Sequence, residues 1–310
     1  RIPTARFRTC ESLAEGLAVV RAGGLGWPVV LKADGLAAGK GVVIADDRRA
    51  AEAAVVAAMA DRRFGAAGER LVIEECLTGP EVSFFVLADG TRAVPIGAAQ
   101  DHKRIFDEDR GPNTGGMGAF APSPLADAAL NARVMREIVE PIEDGMAEEG
   151  APFRGFLYVG LMLTPSGPHV IEFNVRLGDP EAQVILPRIA EPLLPLLLAG
   201  AAGELPQRAC RLGEDAVVGV VLASRFYPAA AESGKAIGGL DAAEAVPGVA
   251  VYHAGTAVEQ GALVTAGGRV LTVVGRGGDF PAAIERAYAG VERIWFEGMQ
   301  YRRDIGWRAQ

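Results

Sequence analysis

Hydrophobic and polar positions along the chain alternate between a helical period and a strand period. The helical spacing predicts helices in "ESLAEGLAVVRAG", in "RRAAEAAVVAAMADRR", near 125–149 and over much of 181–200. Short apolar runs predict the strands "WPVVLKAD", "GVVIAD" and "RLVIEEC", followed by hairpins in "EVSFFVLADGTRAVPIG" and from "FLYVGLML" to "HVIEFNV". We expect Asp46 or Asp47 to cap the second helix and Pro141 to kink the third.

Two regions depart from this pattern. Residues 100–124 are rich in Gly, Pro and charged residues and have no periodicity, which predicts a long loop that is either functional or disordered. Beyond about residue 205 the pattern is β-rich, with the strands "DAVVGVVLAS", "VAVYHAGT", "ALVTAGG" and "RVLTVVGRG" and the helix "DFPAAIERAYAGVERI". We expect this last segment to pack as a separate module.

Composition restricts the classes of function. Half of the 310 residues are hydrophobic and the net charge is −8, so the chain can bury substantial cores and has no long basic block for nucleic acid. No stretch approaches the ~20 apolar residues of a membrane span. Three isolated cysteines lack disulfide or zinc spacing and no signal core is present, so we expect a cytoplasmic protein. The chain starts at Arg1 rather than Met, so we expect that upstream sequence is absent.

The stretch "LKADGLAAGKGVVIAD" is the first candidate for chemistry. Gly35, Gly39 and Gly41 surround Lys40, and Lys32 lies on the preceding strand. The spacing is not that of a Walker A loop, which has four residues between its glycines. A glycine-rich loop with two ammonium groups suits phosphate, because backbone N–H groups can approach it closely. An ordinary tight hairpin turn explains the glycines equally well.

Two further stretches are rich in charge. In "IEECLTGPE", the carboxylates of Glu74, Glu75 and Glu81 suit either a solvated strand edge or an edge that binds adenine and ribose. In "QDHKRIFDEDRGPNTGGMGAF", cations precede an exposed glycine-rich backbone, which suits an anionic substrate. The alternative for this second stretch is a mobile solvent loop, although a loop that needs only solubility has no reason to include Met and Phe.

The stretch "HVIEFNVRLGDPEAQ" places unusual side chains on an apolar strand. Strand alternation puts Glu172, Asn174 and Arg176 on one face. The first two are hard oxygen donors that suit Mg²⁺, and Arg176 could hold a phosphoryl group. A solvated strand face is the alternative. Asp179 and Glu181 could each cap the helix that follows.

Taken together, these motifs resemble the glycinamide ribonucleotide synthetase family of ATP-grasp ligases. The resemblance rests on "KADGLAAGKGV", "QDHKR", "GPNTGGMGA", "EFNVRLGDPEAQ", "YHAGT" and "DIGWRA", and it runs from Ile2 to Ala309 in consistent order. It implies an α+β fold in which two ATP-grasp subdomains clamp ATP, followed by a small β-rich C-terminal domain. The implied segments are 1–75, 76–204 and 205–310. The family normally begins with an N-terminal α/β domain, and the resemblance implies that this chain starts after it.

The resemblance also implies a reaction and its residues. Glycine would be joined to 5-phosphoribosylamine through a glycyl phosphate, with ATP as a substrate and Mg²⁺ (or Mn²⁺) as cofactor. We expect the enzyme to be a monomer. A nucleotide-binding fragment that is inactive alone, or another ATP-grasp ligase, are the alternatives. The implied ATP-binding residues are Lys32, Gly35, Gly39, Lys40, Gly41, Glu74, Glu75, Cys76, Leu77 and Glu81. The implied substrate-binding residues are Asp101, Asn113, Thr114, Gly115, Gly116, Met117, Gly178 and Asp179, the metal ligands are Glu172 and Asn174, and the catalytic cations are Lys103, Arg104 and Arg176.

Overall fold

The computed structural model describes residues 2–35 and 41–310, so the predicted phosphate-binding positions Gly39 and Lys40 lie outside the described residues. The chain divides into two compact units. The small unit comprises Pro3–Pro80 and Met162–Ile171, and the large unit comprises Glu81–Leu161 and Glu172–Gln310 together with Ile2. Among the described residues, no helix has the length and apolarity that a membrane crossing requires.

The small unit is an antiparallel sheet covered by two helices in the part of the chain that the structure describes. Asp47 caps the second helix by accepting a hydrogen bond from Ala50 N, which confirms the predicted cap. Val20 and Val55 from the two helices pack on Leu31 and Ile73 of the sheet. The sheet order is β1-β4-β2-β3. The elements are β1 (Phe7–Cys10), α1 (Leu13–Ala22), β2 (Val29–Ala33), β3 (Val42–Ala45), α2 (Arg48–Met59) and β4 (Leu71–Glu75).

The large unit is built on a long sheet. Its strands are β5 (Glu81–Asp89), β6 (Ala93–Asp101), β7 (Arg104–Phe106), β8 (Arg110–Asn113), β9 (Gly118–Ala121), β10 (Arg154–Thr164), β11 (Gly167–Asn174), β12 (Ala216–Ala223), β13 (Val249–His253), β14 (Thr256–Glu259), β15 (Ala262–Thr265) and β16 (Arg269–Gly277). Residues 162–164 of β10 and 167–171 of β11 belong to the small unit. Its helices are α3 (Ala128–Val134), α4 (Glu140–Glu148), α5 (Ala182–Ile185), α6 (Leu193–Ala202), α7 (Leu240–Glu244) and α8 (Phe280–Val291). Within the described ranges, eight strands form one sheet in the order β11-β10-β5-β6-β9-β12-β16-β13.

The strand β9 joins the segment beyond residue 205 to the rest of this sheet. Phe120 of β9 is paired with Val218 of β12, and both side chains are buried in one core with Leu271. The sheet is therefore continuous across residue 205. The segments 1–75, 76–204 and 205–310 stay a prediction.

Other predictions are confirmed or corrected locally. The strands and the helix predicted beyond residue 205 are present, as are both hairpins. The prediction of a loop throughout 100–124 is wrong, because β7, β8 and β9 lie within it. The helix predicted over 181–200 is interrupted between α5 and α6, where prolines such as Pro187 and Pro192 cannot donate backbone hydrogen bonds. In the third helix, a π-helical turn, Met135–Val139, precedes Pro141.

Candidate active site

The end of β11 brings together the three side chains predicted to share a strand face. Asn174 Nδ2 donates a hydrogen bond of 3.1 Å to Glu172 Oε1, and an Arg176 guanidinium nitrogen lies 3.5 Å from Asn174 Oδ1. Glu172 and Arg176 are exposed, and Asn174 is half-buried. The strand ends at Asn174, so Arg176 reaches back from the following turn rather than extending the strand face.

This group fits a magnesium ion that takes few protein ligands. Glu172 and Asn174 offer carboxylate and amide oxygens side by side, which is the chemistry that Mg²⁺ prefers. Gly160 on the neighbouring strand leaves room for Glu172, since a Cβ at Gly160 would lie 3.2 Å from Glu172 Cγ. Among the described residues no three His, Cys, Asp or Glu side chains are grouped to hold a metal, so Mg²⁺ here would complete its shell with water and phosphate oxygens.

The neighbouring strands β5, β6 and β10 carry a cluster of polar side chains that also includes Lys103 and Glu181. Lys103 forms an ion pair with Glu81, and both are partly exposed. Ser83 Oγ lies 3.0 Å from Tyr158 Oη and 3.4 Å from Glu181 Oε1. Glu181 is only 4% exposed. Lys103 and Glu81, predicted for different roles, therefore lie together as an ion pair.

The surroundings of this cluster raise the pKa values of three of its ionisable groups. Burial raises the pKa of Glu181 to about 7, and the Asp101 carboxylate adds to this rise while Lys103 opposes it. Burial also raises the pKa of Asp101. The pKa of Lys103 is raised as well, because the carboxylates of Asp101 and Glu81 outweigh the opposing effect of burial. A carboxyl group that titrates near neutral pH can hold or release a proton at working pH.

The glycine-rich segment 113–118 is an ordered turn held by backbone contacts. Thr114 N and Oγ1 both donate to Lys103 O, at 2.7 and 2.9 Å, and Gly116 N donates to Thr114 Oγ1 at 2.9 Å. Asn113 and Gly115 are exposed and therefore accessible to a ligand. Met117 is fully buried against Ile105, and its N–H and C=O are both hydrogen-bonded, so it anchors the turn and offers no surface to a ligand.

Arg104 lies on the same hairpin and is held by its neighbours. Its guanidinium donates a 2.7 Å hydrogen bond to Gly111 O, and its own carbonyl accepts from Arg302 at 3.1 Å. Arg302 is 1% exposed and its guanidinium binds Asp109 at 2.8 Å and Asp304 at 2.7 Å. Residues near the C-terminus therefore hold the hairpin that carries Arg104.

His102 is a structural neighbour of this network. It is buried, and its Nε2 accepts a hydrogen bond of 3.2 Å from Gly306 N. Its Nδ1 lies 3.8 Å from Asp109 Oδ1, which is too long for a hydrogen bond. Burial lowers the pKa of His102, so the ring is neutral at pH 7.

The turn 178–181 holds its polar groups firmly. Asp179 Oδ1 accepts a hydrogen bond of 2.9 Å from Gln183 Nε2, and Oδ2 lies 3.1 Å from an Arg269 guanidinium nitrogen. Gly178 is buried, and a Cβ there would meet Glu181 Oε2 at 2.4 Å. Glu181 precedes α5 but makes no capping hydrogen bond with its side chain, so the capping interpretation does not explain it.

In the small unit, Lys32 and Glu74 form an ion pair of 2.7 Å. Lys32 also donates a 3.0 Å hydrogen bond to Ile171 O. Glu75 lies on the opposite strand face and therefore apart from Lys32. Its carboxylate accepts hydrogen bonds from the backbone N–H and from the guanidinium of Arg6. The other described positions predicted to bind ATP here are half-buried Cys76 and Leu77, exposed Gly35, and Gly41, which extends the β2–β3 pairing through its bond with Ala33.

Several residues that organise this region were not predicted from the sequence. They are Ser83, Tyr158, Asp109, Arg269 and Arg302, and Glu181 was predicted only as a cap. Glu181 is the last residue of the motif "NVRLGDPE", and Arg302 lies two positions before the motif "DIGWRA". Arg269 and Tyr158 occur in apolar strands, and nothing in their local pattern signals a role.

Two sequence profiles and a long relative match this chain. Residues 1–182 match the ATP-grasp (A) domain of phosphoribosylglycinamide synthetase, and residues 217–308 match its C domain. A phosphoribosylamine–glycine ligase of Mesorhizobium japonicum is 50% identical over 309 residues, covering 99% of this chain and 72% of that protein. These matches agree with the resemblance predicted from the motifs.

Solved structures give the same result for the fold. A crystal structure of phosphoribosylamine–glycine ligase from Thermotoga maritima matches with a TM-score of 0.88 at 37% identity, covering 98% of this chain and 74% of that one. The biotin carboxylase domain of the Hydrogenobacter thermophilus 2-oxoglutarate carboxylase shares the fold alone, with a TM-score of 0.70 at 18% identity over 97% of this chain and 64% of that one. The predicted α+β ATP-grasp fold is confirmed, and the chain belongs to the phosphoribosylamine–glycine ligase family.

Proposed function

We propose that this chain joins glycine to 5-phosphoribosylamine, driven by ATP, and so forms glycinamide ribonucleotide, ADP and phosphate in purine biosynthesis. Family membership supports this reaction, and the grouping of Glu172, Asn174 and Arg176 is the observation that carries its chemistry. Two oxygen donors beside a guanidinium suit a site where a phosphoryl group is transferred in the presence of a divalent metal.

The reaction needs two steps, because a carboxylate is a poor electrophile. A glycine carboxylate oxygen first attacks the γ-phosphorus of ATP, which forms glycyl phosphate and releases ADP. The amine of phosphoribosylamine then attacks the acyl carbon, phosphate leaves, and the nitrogen loses a proton. Phosphoryl transfer of this kind depends on positioning and charge neutralisation more than on a protein nucleophile.

We assign roles in the large unit from charge and accessibility. Glu172 and Asn174 would hold Mg²⁺, which neutralises phosphate charge when bound. Arg176 stabilises the transferring phosphoryl group, as a guanidinium can bind its oxygens in a bidentate manner. Arg104 and the exposed turn at Asn113 and Gly115 bind the substrates. The same part of the site is shaped by six further residues, which are Asp101, Lys103, Thr114, Gly116, Gly178 and Asp179.

We assign nucleotide binding in the small unit to Lys32, Glu74, Cys76 and Leu77. The Lys32 ammonium is already fixed by Glu74 and by Ile171 O, so it offers its charge from a defined position. Glu75 is occupied by Arg6, and we assign it the support of this edge. The three cysteines are free thiols, which agrees with the proposed cytoplasmic location. We also propose that the enzyme acts as a monomer.

ADP release by the chain tests the proposal. With Mg²⁺, glycine and freshly generated phosphoribosylamine, we expect ADP release that requires both substrates. Release with bicarbonate or formate in place of glycine would instead indicate another ATP-grasp ligase. ATP binding without any release would indicate a nucleotide-binding chain that is not active alone, and this outcome would contradict the proposed activity.

A further inference from the structure

Arg269, at the start of β16, binds two turns that are far from it in sequence. One terminal guanidinium nitrogen donates to Gly115 O at 2.7 Å and also to Asp179 O, while the other lies 3.1 Å from Asp179 Oδ2. The Arg269 side chain is 21% exposed, so these contacts are partly shielded from water. One side chain therefore links the Gly115–Gly116 turn to the Asp179–Pro180 turn.

Tyr227 supports the same contact from the adjacent loop. Its hydroxyl oxygen accepts a hydrogen bond of 2.8 Å from Gly115 N. Its ring lies against Gly268, where a Cβ would come within 2.4 Å of Tyr227 Cδ2. Its carbonyl accepts from Gln300 Nε2 at 3.0 Å. Gly115 is therefore held by its carbonyl and by its N–H, each from a residue of the C-terminal segment.

The two linked turns are also in direct contact. Gly116 has a φ of 114°, and a Cβ there would lie 2.5 Å from Pro180 Cδ. Only glycine allows both this backbone conformation and this approach. Asp179 is held from two sides, by Arg269 at Oδ2 and by Gln183 at Oδ1. The relative position of the two turns is therefore set by a small number of polar contacts, of which Arg269 makes three.

The chemistry of the guanidinium explains why an arginine stands at this position. Its planar fork presents several N–H donors in fixed directions, whereas a lysine ammonium is a compact point charge. Lysine has a single terminal nitrogen, so it could not donate to both carbonyl oxygens from one nitrogen and hold Asp179 Oδ2 with a second nitrogen in the same geometry. Displacement of a reacting group by about 1 Å can lower a rate by about 100-fold.

We propose that Arg269 is a positioning residue for the ligation, with Tyr227 as its support. It fixes the position of the Gly115–Gly116 turn relative to the Asp179–Pro180 turn, so that the substrate-binding part of the site is assembled before the substrates bind. This inference rests on the proposed function in assigning those turns to the glycine and phosphoribosylamine substrates. It gives the C-terminal segment a role in the reaction beyond packing. Nucleotide binding does not depend on Arg269.

The kinetic test compares Arg269→Ala and Arg269→Lys with Arg276→Ala in the full chain. Arg276 lies on the same strand and binds Asp215 at 2.6 Å, which makes it a matched control. We expect Arg269→Ala to lower kcat/KM for glycine and phosphoribosylamine by about 10- to 100-fold and to leave the KM for ATP within about twofold. Arg269→Lys should recover only part of the loss. Values for Arg269→Ala equal to those of Arg276→Ala would overturn the proposal.

A second measurement separates this inference from the proposed function. Amide hydrogen exchange of the peptide spanning 113–118 needs no substrate and reports the order of the turn. We expect faster exchange in Arg269→Ala and in Tyr227→Phe, which loses one hydroxyl group, than in the wild type or Arg276→Ala. A wild type that released no ADP would contradict the proposed function, whereas the exchange rates would still show whether Arg269 and Tyr227 hold the turn. Unchanged exchange in both variants would contradict this positioning role.

Discussion

Asn174 donates its amide hydrogen to Glu172 across two positions of β11, at 3.1 Å, and thereby places two oxygen-bearing side chains side by side at the end of the strand. The pair is adjacent to the Arg176 guanidinium, at 3.5 Å from Asn174. Glu172 is exposed and Asn174 is half-buried, so the pair can exchange its mutual hydrogen bond for a metal ion.

Replacement of Glu172 by alanine should weaken ATP binding only when it depends on Mg²⁺. We expect Glu172→Ala to lower the Mg²⁺-dependent ATP affinity by at least about tenfold, because loss of a ligand or its close support typically costs that much. Titration calorimetry over a series of Mg²⁺ concentrations measures the effect. Glu259→Ala, at an exposed carboxylate on β14, is the control. An unchanged Mg²⁺ dependence with an intact circular dichroism spectrum would refute the metal assignment.

Arg104 should contribute to substrate use and not to nucleotide binding. We expect Arg104→Ala to lower kcat/KM for glycine and phosphoribosylamine by about tenfold or more, because a charged hydrogen bond contributes about 1.5–3 kcal/mol. The ATP dissociation constant should stay within about twofold of the wild-type value. Arg110→Ala, at another exposed arginine of the same hairpin, should change neither quantity. A loss of ATP affinity as large as the loss of catalysis would move Arg104 into the nucleotide site.

Arg302 should be important for stability. Its buried guanidinium binds Asp109 and Asp304, so Arg302→Met leaves Asp304 without this cation and leaves Asp109 with Arg308 alone. We expect the free energy of unfolding to fall by about 3–5 kcal/mol, which is typical of a broken buried ion pair. Chemical denaturation measures the loss. Arg303→Ala, at the exposed neighbouring position, should change stability by less than about 1 kcal/mol, and equal effects of the two substitutions would contradict the structural role.

Glu181 should make stability depend on pH. Its pKa rises from the ordinary value of 4.5 to about 7 in the folded state, where Asp101, Asp179, Lys103 and Tyr158 surround it. Below pH 4.5 the carboxyl is protonated in both states. Between pH 4.5 and 7 the folded state holds the proton more tightly, so the free energy of unfolding falls as pH rises, by about 3 kcal/mol in total, and stays low above pH 7.

Denaturation of Glu181→Gln at several pH values tests this dependence. The neutral side chain should remove the Glu181 contribution and make the variant relatively more stable above pH 7. Burial also raises the pKa of Glu143 to about 7, with the same sign, so Glu143→Gln is measured alongside to separate the two contributions. A Glu181→Gln profile with the full wild-type slope between pH 4.5 and 7 would show that the Glu181 carboxyl does not titrate in this range.

The local pattern of the sequence determined much of what is local in the structure. The twofold period of a strand places Glu172 and Asn174 on one face. An aspartate before a helix accepts a hydrogen bond from the backbone N–H three residues later, as Asp47 does from Ala50. These relationships join residues two or three positions apart, so the backbone geometry of a single element is sufficient to produce them. The motif resemblance also identified the family correctly.

The tertiary structure decided which distant elements meet. The pairing of Phe120 with Val218 continues one sheet across residue 205, and strand periodicity indicates a face but never its partner strand. The raised pKa of Glu181 depends on burial and on Asp101, which is 80 positions earlier. Arg269 reaches Gly115 across 154 residues, so its role is invisible in its own strand. Local residue spacing specifies faces, caps and turns, whereas the environment of a side chain exists only after the chain has folded.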